Sequence, residues 1–490
     1  MKMKYIMLIT CFVLLPSLVI GGELTEISGY CGKEEKNIKW IVNTEDKTLV
    51  FEGSGEMQDF QYDNQPWKQY NDKINSVTIN EGILNVGDYA FREMKFSNVD
   101  LPSSIETIGN YSFAQCENLK TIILSDNISG IGQYAFYYSG LESIKIPASI
   151  QYLEDGLFQS CIDLKSIILP EGIISIGCST FKWCQSLSNI LLPNTIETIK
   201  SSAFEDCSIL ETINLPEGLT VIGSNAFGNT IIKEIVLPSS ITELNNSAFE
   251  NCPKLNTIKL HDNLEIIRKS CFRNCISLKQ IVIPKGCYSV GDYAFSNCTG
   301  LEQVIVENNT RFGDYVFNGC SSLISVDLPD DFDDNWFGIN VFQDCQALKT
   351  IFNSTTLFYM SKDCDETYTI PSGIAKIGKY AFYGNKKIKN LILPSTINCL
   401  GAYSLALTDI EELDFSTLEN VDIYEGALSG SAIKTIKSQK KITSCGSYSF
   451  SSCQNLTELD LSNINGGIGN GTFRYCKNLI LCGDKRTKEC

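Results

Sequence analysis

Histidine is all but missing from this chain: 490 residues carry one, His261. Zinc sites built on paired histidines are thereby excluded, and a serine or cysteine triad has a single candidate base. That candidate follows Leu260 in a slot where comparable segments carry Pro, so it is expected on an exposed turn rather than in a site. Basic excess is lacking too. Forty Lys and Arg face 57 Asp and Glu, for a net charge of -17, without an acidic tail or a basic patch. This balance argues against nucleic acid or an anionic membrane as partner. No Gly-x-Ser-x-Gly, phosphate loop, zincin motif or Arg-Gly-Asp occurs. Carboxylate pairs are uninformative among so many acids. The expectation is a non-enzyme with no catalytic residue, no cofactor and no metal.

Long apolar runs are confined to the start. Lys2 and Lys4 precede the run Tyr5 to Ile20, and Gly21 offers a small residue for cleavage. Residues 1–22 read as an export signal, with no membrane insertion after its removal. The run contains Pro16 and is shorter than the ~20 residues that span a bilayer. The chain is expected to be secreted, with retention at the cell surface as the alternative. Eight Asn-x-Ser/Thr sequons, at Asn110, Asn127, Asn245, Asn297, Asn308, Asn353, Asn455 and Asn470, suit that compartment and predict some glycosylation in a eukaryotic source.

What is abundant is repetition. A Gly-x-x-Ala-Phe tetrad or a near variant places an anchor at Phe91, Phe113, Phe136, Phe158, Phe181, Phe204, Phe227, Phe249, Phe272, Phe295, Phe317, Phe342, Phe382, Phe450 and Phe473, with Leu405 and Leu428 in the two remaining places. Successive anchors lie 22, 23 or 25 residues apart, except for one step of 40 between Phe342 and Phe382. Such a period predicts a solenoid of about seventeen turns, because one unit cannot bury its own apolar face and stacked units can.

The unit after Phe113 illustrates the logic. Ile122 and Leu124 point one way and Ile123 the other, the alternation of a short strand. Pro commonly follows, as at Pro102, Pro147 and Pro170, where its missing N–H ends the ladder. Gly132 and its equivalents Gly177, Gly223, Gly291 and Gly378 are expected to free the backbone for a turn. The Ala-Phe-x-x-Cys-x-x-Leu segment spaces apolar groups by three, which suits one or two turns of helix on the opposite side. The predicted fold is an α/β repeat solenoid with a parallel β-sheet on one face and short helices or turns on the other.

Twenty-one cysteines suggest a disulfide framework until their period is noted: eleven, from Cys116 to Cys476, stand three residues after an anchor Phe. A thiol stacked at the solenoid period reads as packing. Cys11 leaves with the signal. Off this column stand Cys31, Cys178, Cys271, Cys287, Cys364, Cys399, Cys445, Cys482 and Cys490, an odd number; Cys482 with Cys490 can close the C-terminal tail.

The unit Leu-x-x-Ile-x-Leu-Pro-x-x-Ile-x-x-Ile-Gly-x-x-Ala-Phe-x-x-Cys resembles the BspA-like class of leucine-rich repeats over residues 74–480. Gly29-Tyr30-Cys31-Gly32, Trp40, the stretch Leu49 to Met57, Pro66-Trp67 and Tyr70 are similar to the leader that often precedes such repeats. The resemblance implies a β-hairpin cap at residues 23–73, and a secreted or surface protein linked to adhesion and host binding. Residues 481–490 form a tail. An insertion near 353–367, with Phe358, Tyr359 and Met360, is either a binding loop or a degenerate repeat.

Between the two inward aliphatics of each strand one residue faces out. This column holds Ile123, Ile168, Leu191, Val236, Val282, Ile305, Phe352 and Ile392, interspersed with Lys145, Asn214, Lys259 and Asp327 and ending in Asp414, Lys437 and Asp460. Eight of fifteen are apolar, so the column is a candidate binding stripe for a protein or glycan, expected on the concave face. Pairing of two such stripes in a self-associating coat is the alternative, and plain strand preference for aliphatics the structural one.

Overall fold

The computed structural model of the chain describes residues 25–482 apart from 461, 463 and 465. The export signal, Cys11, the tail beyond 482 and the pairing of Cys482 with Cys490 lie outside the described residues. The chain divides into two compact units, one ending at Gly218 and one starting at Leu219. Each is a solenoid of parallel strands.

The first unit opens with three antiparallel strands, Glu26–Tyr30, Ile38–Asn43 and Thr48–Gly53. The third then pairs in parallel with Ser76–Ile79, and that strand with Asn98–Asp100. Trp67 fills the place ahead of the first anchor: it is wholly buried, its ring lies 4.8 Å from Phe51 and 6.1 Å from Phe91, and its indole N–H donates to the Ala90 carbonyl at 2.9 Å. From there each turn places an anchor ring on the one before. Centroids are 5.3 Å apart for Phe91 and Phe113, 5.6 Å for Phe158 and Phe181, and 5.2 Å for Phe181 and Phe204, all stacked. The second unit repeats this from Phe227 to Phe342, at 5.2 Å to 5.7 Å.

One strand per turn is what the sequence predicts; the structure has two. The expected column contains Ser143–Lys145 paired with Ser166–Ile168, and in the second unit Gln280–Ile283, Gln303–Val306 and Ser325–Asp327. A second parallel column follows the proline turn: Asn85–Val86, Thr107–Ile108 and Gly130–Ile131 in the first unit, and Glu243–Leu244, Ile266–Ile267, Ser289–Val290 and Arg311–Phe312 in the second. Each of these pairs of residues buries one side chain, such as Ile108, Ile131 or Ile267, and turns the other outward. Between the columns Pro serves as the start of a turn, its carbonyl accepting the N–H of the aliphatic residue three places on, as in Pro147 to Ile150 at 3.2 Å.

The anchor segment is not helical. Among the described residues the helices are three short 3-10 segments, Lys68–Lys73, Asp334–Trp336 and Gln439–Lys441. The reason lies two residues to either side of each anchor, where the backbone is left-handed: Tyr134 (φ 56°) and Tyr138 (φ 53°) flank Phe136, and Asn225 (φ 55°) and Asn229 (φ 60°) flank Phe227. Left-handed residues break an α-helix and cost about 1–2 kcal/mol each. They also aim alternate N–H groups along the stack, so that Tyr134, Phe136 and Tyr138 donate to the next turn's Asp155, Leu157 and Gln159 carbonyls at 3.1, 3.0 and 2.8 Å. The intervening amides close within their own turn, Ala135 onto Gly132 and Tyr137 onto Tyr134.

Gly132 needs no positive φ. A Cβ there would stand 2.6 Å from the Asn110 main-chain nitrogen, so glycine is required by the close approach of the preceding turn rather than by freedom to bend.

Replacing Trp67 with Ala is predicted to destabilise the chain by about 3–5 kcal/mol, since a fully buried aromatic and its hydrogen bond are both lost. Urea unfolding measures this; a change under about 1 kcal/mol would show that Trp67 does not close the column.

Candidate functional site

The outward column has the exposure that the alternation predicts. In the first unit Ile123 is 87% exposed, Ile168 62% and Leu191 77%. In the second unit Val236, Val282, Phe352 and Ile392 are exposed and Ile305 is half-buried. Lys145 sits beside Ile168, Val236 beside Lys259, and Val282 beside Ile305 and then Asp327. Around Ile123 the alternation holds without a strand: Ile122 is buried and Ile123 bare, but residues 120–125 make no ladder.

A recess of about 1110 Å³ in the first unit is floored by the second column, including Asn85, Thr107, Gly130 and Tyr152, and does not include Ile123. The recess is acidic, with Glu56, Asp59, Asp88, Glu106 and Glu154 against Lys33. Its carboxylates and amides are tied turn to turn: the Asp88 carboxylate accepts the Asn110 N–H at 2.7 Å, and the Asn110 side-chain carbonyl accepts the Gln133 N–H at 2.8 Å. Tyr89, Tyr111 and Tyr134 stack beside it at 5.0 and 4.9 Å.

The insertion is not a projecting loop. Thr356–Met360 is a strand, paired antiparallel with Thr350–Phe352 and in parallel with Lys376–Ile377. Leu357, Phe358 and Met360 are buried, and Tyr359 is half-buried. Phe358 packs edge-on to Phe332 and Phe337 at 5.7 and 5.9 Å. Three residues with strong strand preference, Thr356, Phe358 and Tyr359, carried this signal in the sequence. Downstream, Thr367–Thr369 adds a strand of the first column beside Asn390–Ile392. Exposed Thr369 thus separates Ile392 from Phe352, and the stripe is less continuous than the sequence suggests.

Potential nucleophiles are plentiful and occupied. Eighteen of the described cysteines are free thiols. Those three places after an anchor do more than pack: each donates its S–H to the anchor carbonyl of the preceding turn, Cys116 to Phe91 at 3.0 Å, Cys161 to Phe136 at 3.0 Å, Cys298 to Phe272 at 3.1 Å and Cys453 to Leu428 at 3.0 Å. Burial pushes the thiol pKa up from 9.0 at three of them, to about 12 for Cys116, about 11 for Cys161 and about 12 for Cys298. These three are neutral donors, not thiolates.

His261 differs from its expected place. It is half-buried, and both ring nitrogens are enclosed without a hydrogen-bond partner, because it occupies the packed corner that Pro fills elsewhere and its carbonyl closes the same turn, onto Leu264. Several sequon asparagines use their side-chain N–H to cap an earlier turn, Asn127 on Ser103, Asn245 on Ile222 and Asn308 on Lys285, at 2.8, 2.7 and 2.8 Å. Asp334, nearly fully buried, accepts from the Lys379 main chain at 2.7 Å and from the Lys376 ammonium, bracing the insertion.

Compared with known proteins, residues 69–165, 152–279, 265–365 and 355–480 match the BspA type leucine rich repeat region, in six copies. A search of curated proteins found no match. Among solved structures, a leucine-rich repeat protein from Bacteroides ovatus is similar in fold, with a TM-score of 0.51 and 23% identity over 84% of this chain and 95% of that one. A leucine-rich repeat protein from Eubacterium ventriosum aligns with a TM-score of 0.40 and 18% identity, over 87% of this chain and 95% of that one.

Because folding raises the thiol pKa values, their contribution to stability is full below pH 9.0 and is lost as pH climbs through about 11 to 12. Substituting Ser at Cys116, Cys161 and Cys298 keeps a donor and removes the titration. Urea unfolding of both chains at pH 8 and pH 11 is expected to show a smaller loss for the variant, and equal losses would contradict the assignment.

Proposed function

Since the chain belongs to the BspA-type leucine-rich-repeat family, we propose that it is a non-enzymatic recognition protein that acts outside the cell and binds a protein or glycan through the aliphatic residues of its first strand column. The observation that carries this reading is the exposure of large apolar side chains at repeated outward positions, foremost Ile123 at 87% and Leu191 at 77%. Covering one such side chain with a partner is worth about 1.5–3 kcal/mol, so a few of them offset much of the cost of association. The acidic recess of the first unit contributes selectivity, favouring partners that are neutral or basic where they meet it.

Catalysis has little support in this chemistry. The thiols three places after an anchor are engaged with a carbonyl, as at Cys116 and Cys161, and the one histidine has neither ring nitrogen bonded to a partner. Export rests on Lys2, Lys4 and the apolar run to Ile20. Among the described residues, no helix is long and apolar enough to cross a membrane. The three antiparallel strands and Trp67 serve as a cap, shielding Phe91 in place of a preceding turn.

The test is binding of the purified chain to cells and matrix proteins, compared with a variant carrying Asp at Val282, Ile305 and Phe352. Affinity is expected to fall at least about tenfold, the effect of ~1.4 kcal/mol. Unchanged binding in a variant that retains its circular dichroism spectrum removes the stripe from the mechanism. Light scattering that finds stable dimers through the same residues would support a self-associating coat instead.

A further inference from the structure

The long step between Phe342 and Phe382 leaves main-chain donors without acceptors. In the turn of Phe295, Tyr293, Phe295 and Asn297 donate to Asp314, Val316 and Asn318 at 2.9, 2.9 and 2.7 Å. In the next, Tyr315, Phe317 and Gly319 donate to Ile339, Val341 and Gln343 at 2.9, 2.9 and 2.8 Å. Asn340, Phe342 and Asp344 hold the same three positions, and Asn340 and Asp344 share the left-handed backbone, at φ 54° and 59°. Among the described residues their N–H groups find no acceptor. The inserted strand has come between the turns, and Met360 takes the Ala381 carbonyl, at 2.8 Å, that Phe342 would otherwise meet.

A cavity of about 480 Å³ opens at this seam, bounded by residues 337–346 on one side and by 358–363 and 379–383 on the other. Its size lies within the ~300–1,000 Å³ of ligand sites. Tyr359, Tyr380 and Tyr383 line it, and Lys362 and Asp363 stand at its edge with opposite charges. Three donors on alternate residues form a row rather than converging on one point, so a succession of carbonyls suits them better than a single anion.

We propose that the seam binds a peptide segment of a partner in the turn conformation that residues 313–319 adopt, which adds as the missing rung: carbonyls on alternate residues accept from Asn340, Phe342 and Asp344, and an apolar side chain lies among the tyrosines. The chain itself demonstrates the complementarity, because residues 313–319, Gly-Asp-Tyr-Val-Phe-Asn-Gly, supply such a carbonyl row to the turn before them. This site is separate from the stripe, and Val282 and Ile305 take no part in it.

The experiment is hydrogen exchange of the full chain, read on the fragment spanning residues 337–346, with and without a synthetic peptide of the 313–319 sequence. In the free chain the amides of Asn340, Phe342 and Asp344 are expected to exchange at least about tenfold faster than those of Tyr315, Phe317 and Gly319, and to slow to the same level with saturating peptide. Tyr383→Ala is expected to weaken peptide binding about fivefold while leaving exchange elsewhere unchanged. Amides already protected in the free chain at high dilution, no protection at millimolar peptide, or peptide affinity untouched by Tyr383→Ala would each overturn the proposal. Protection that rises with the concentration of the chain alone would also overturn it, by making a second copy the occupant.

Discussion

The architecture depends on a polar constraint in its most apolar-looking segment. Around each anchor the backbone alternates in hand, and in turns such as those of Phe113, Phe136, Phe295 and Phe317 every second N–H has its acceptor one turn further on. A turn of this kind cannot satisfy itself, because a buried amide without a partner costs about 1–3 kcal/mol. Hydrogen bonding between turns therefore sets the register, and the anchor rings follow at 5.2–5.9 Å. The Phe column is one part of the buried core, and the amide row decides which Phe meets which.

The thiol column completes this accounting. An anchor carbonyl has two lone pairs: one faces the N–H three residues on, and the other faces the thiol of the next turn, as Phe136 accepts from Ser139 N at 3.1 Å and from Cys161 Sγ at 3.0 Å. At Ser139, Thr230, Thr408 and Ser431 a small donor replaces cysteine, whereas Met94 and Asn385 hold the same place after Phe91 and Phe382. Thr230 and Thr408 bond their own anchors, Phe227 and Leu405, at 2.9 and 2.8 Å, and Ser139 meets the Cys161 thiol at 3.3 Å. Cysteine suits a site that is tight, dry and in need of one weak donor. The same burial that makes it fit makes it chemically quiet.

Much of this was legible from spacing alone. Columns of Phe, Ile and Leu recur at 22 or 23 residues, and burial of those columns is what a stacked fold needs. The outward position of Ile123 or Leu191 was equally plain, because alternation on a strand has period two. What escaped notice was set by neighbours rather than by local sequence. Tyr134, Trp183 and Ser202 give no hint of a left-handed backbone, since that conformation is imposed by the carbonyls of the next turn. Gly132 invited a reading in terms of flexibility, whereas a backbone 2.6 Å from its would-be Cβ explains it. Two-residue strands such as Gly130–Ile131 are too short to show a period, and Phe358 and Met360 hid a core strand inside an irregular spacing.

The account stands most directly on the amide row, and native-state hydrogen exchange in the first unit measures it. Tyr134 and Tyr138 lie in turns whose side chains reach the surface, so ordinary turns there would lose their protons quickly. If the row is real, the amides of Tyr134, Phe136 and Tyr138 exchange only when the surrounding turns open together, as slowly as that of buried Ile131. Exchange of all three at the rate of an unstructured peptide would contradict it.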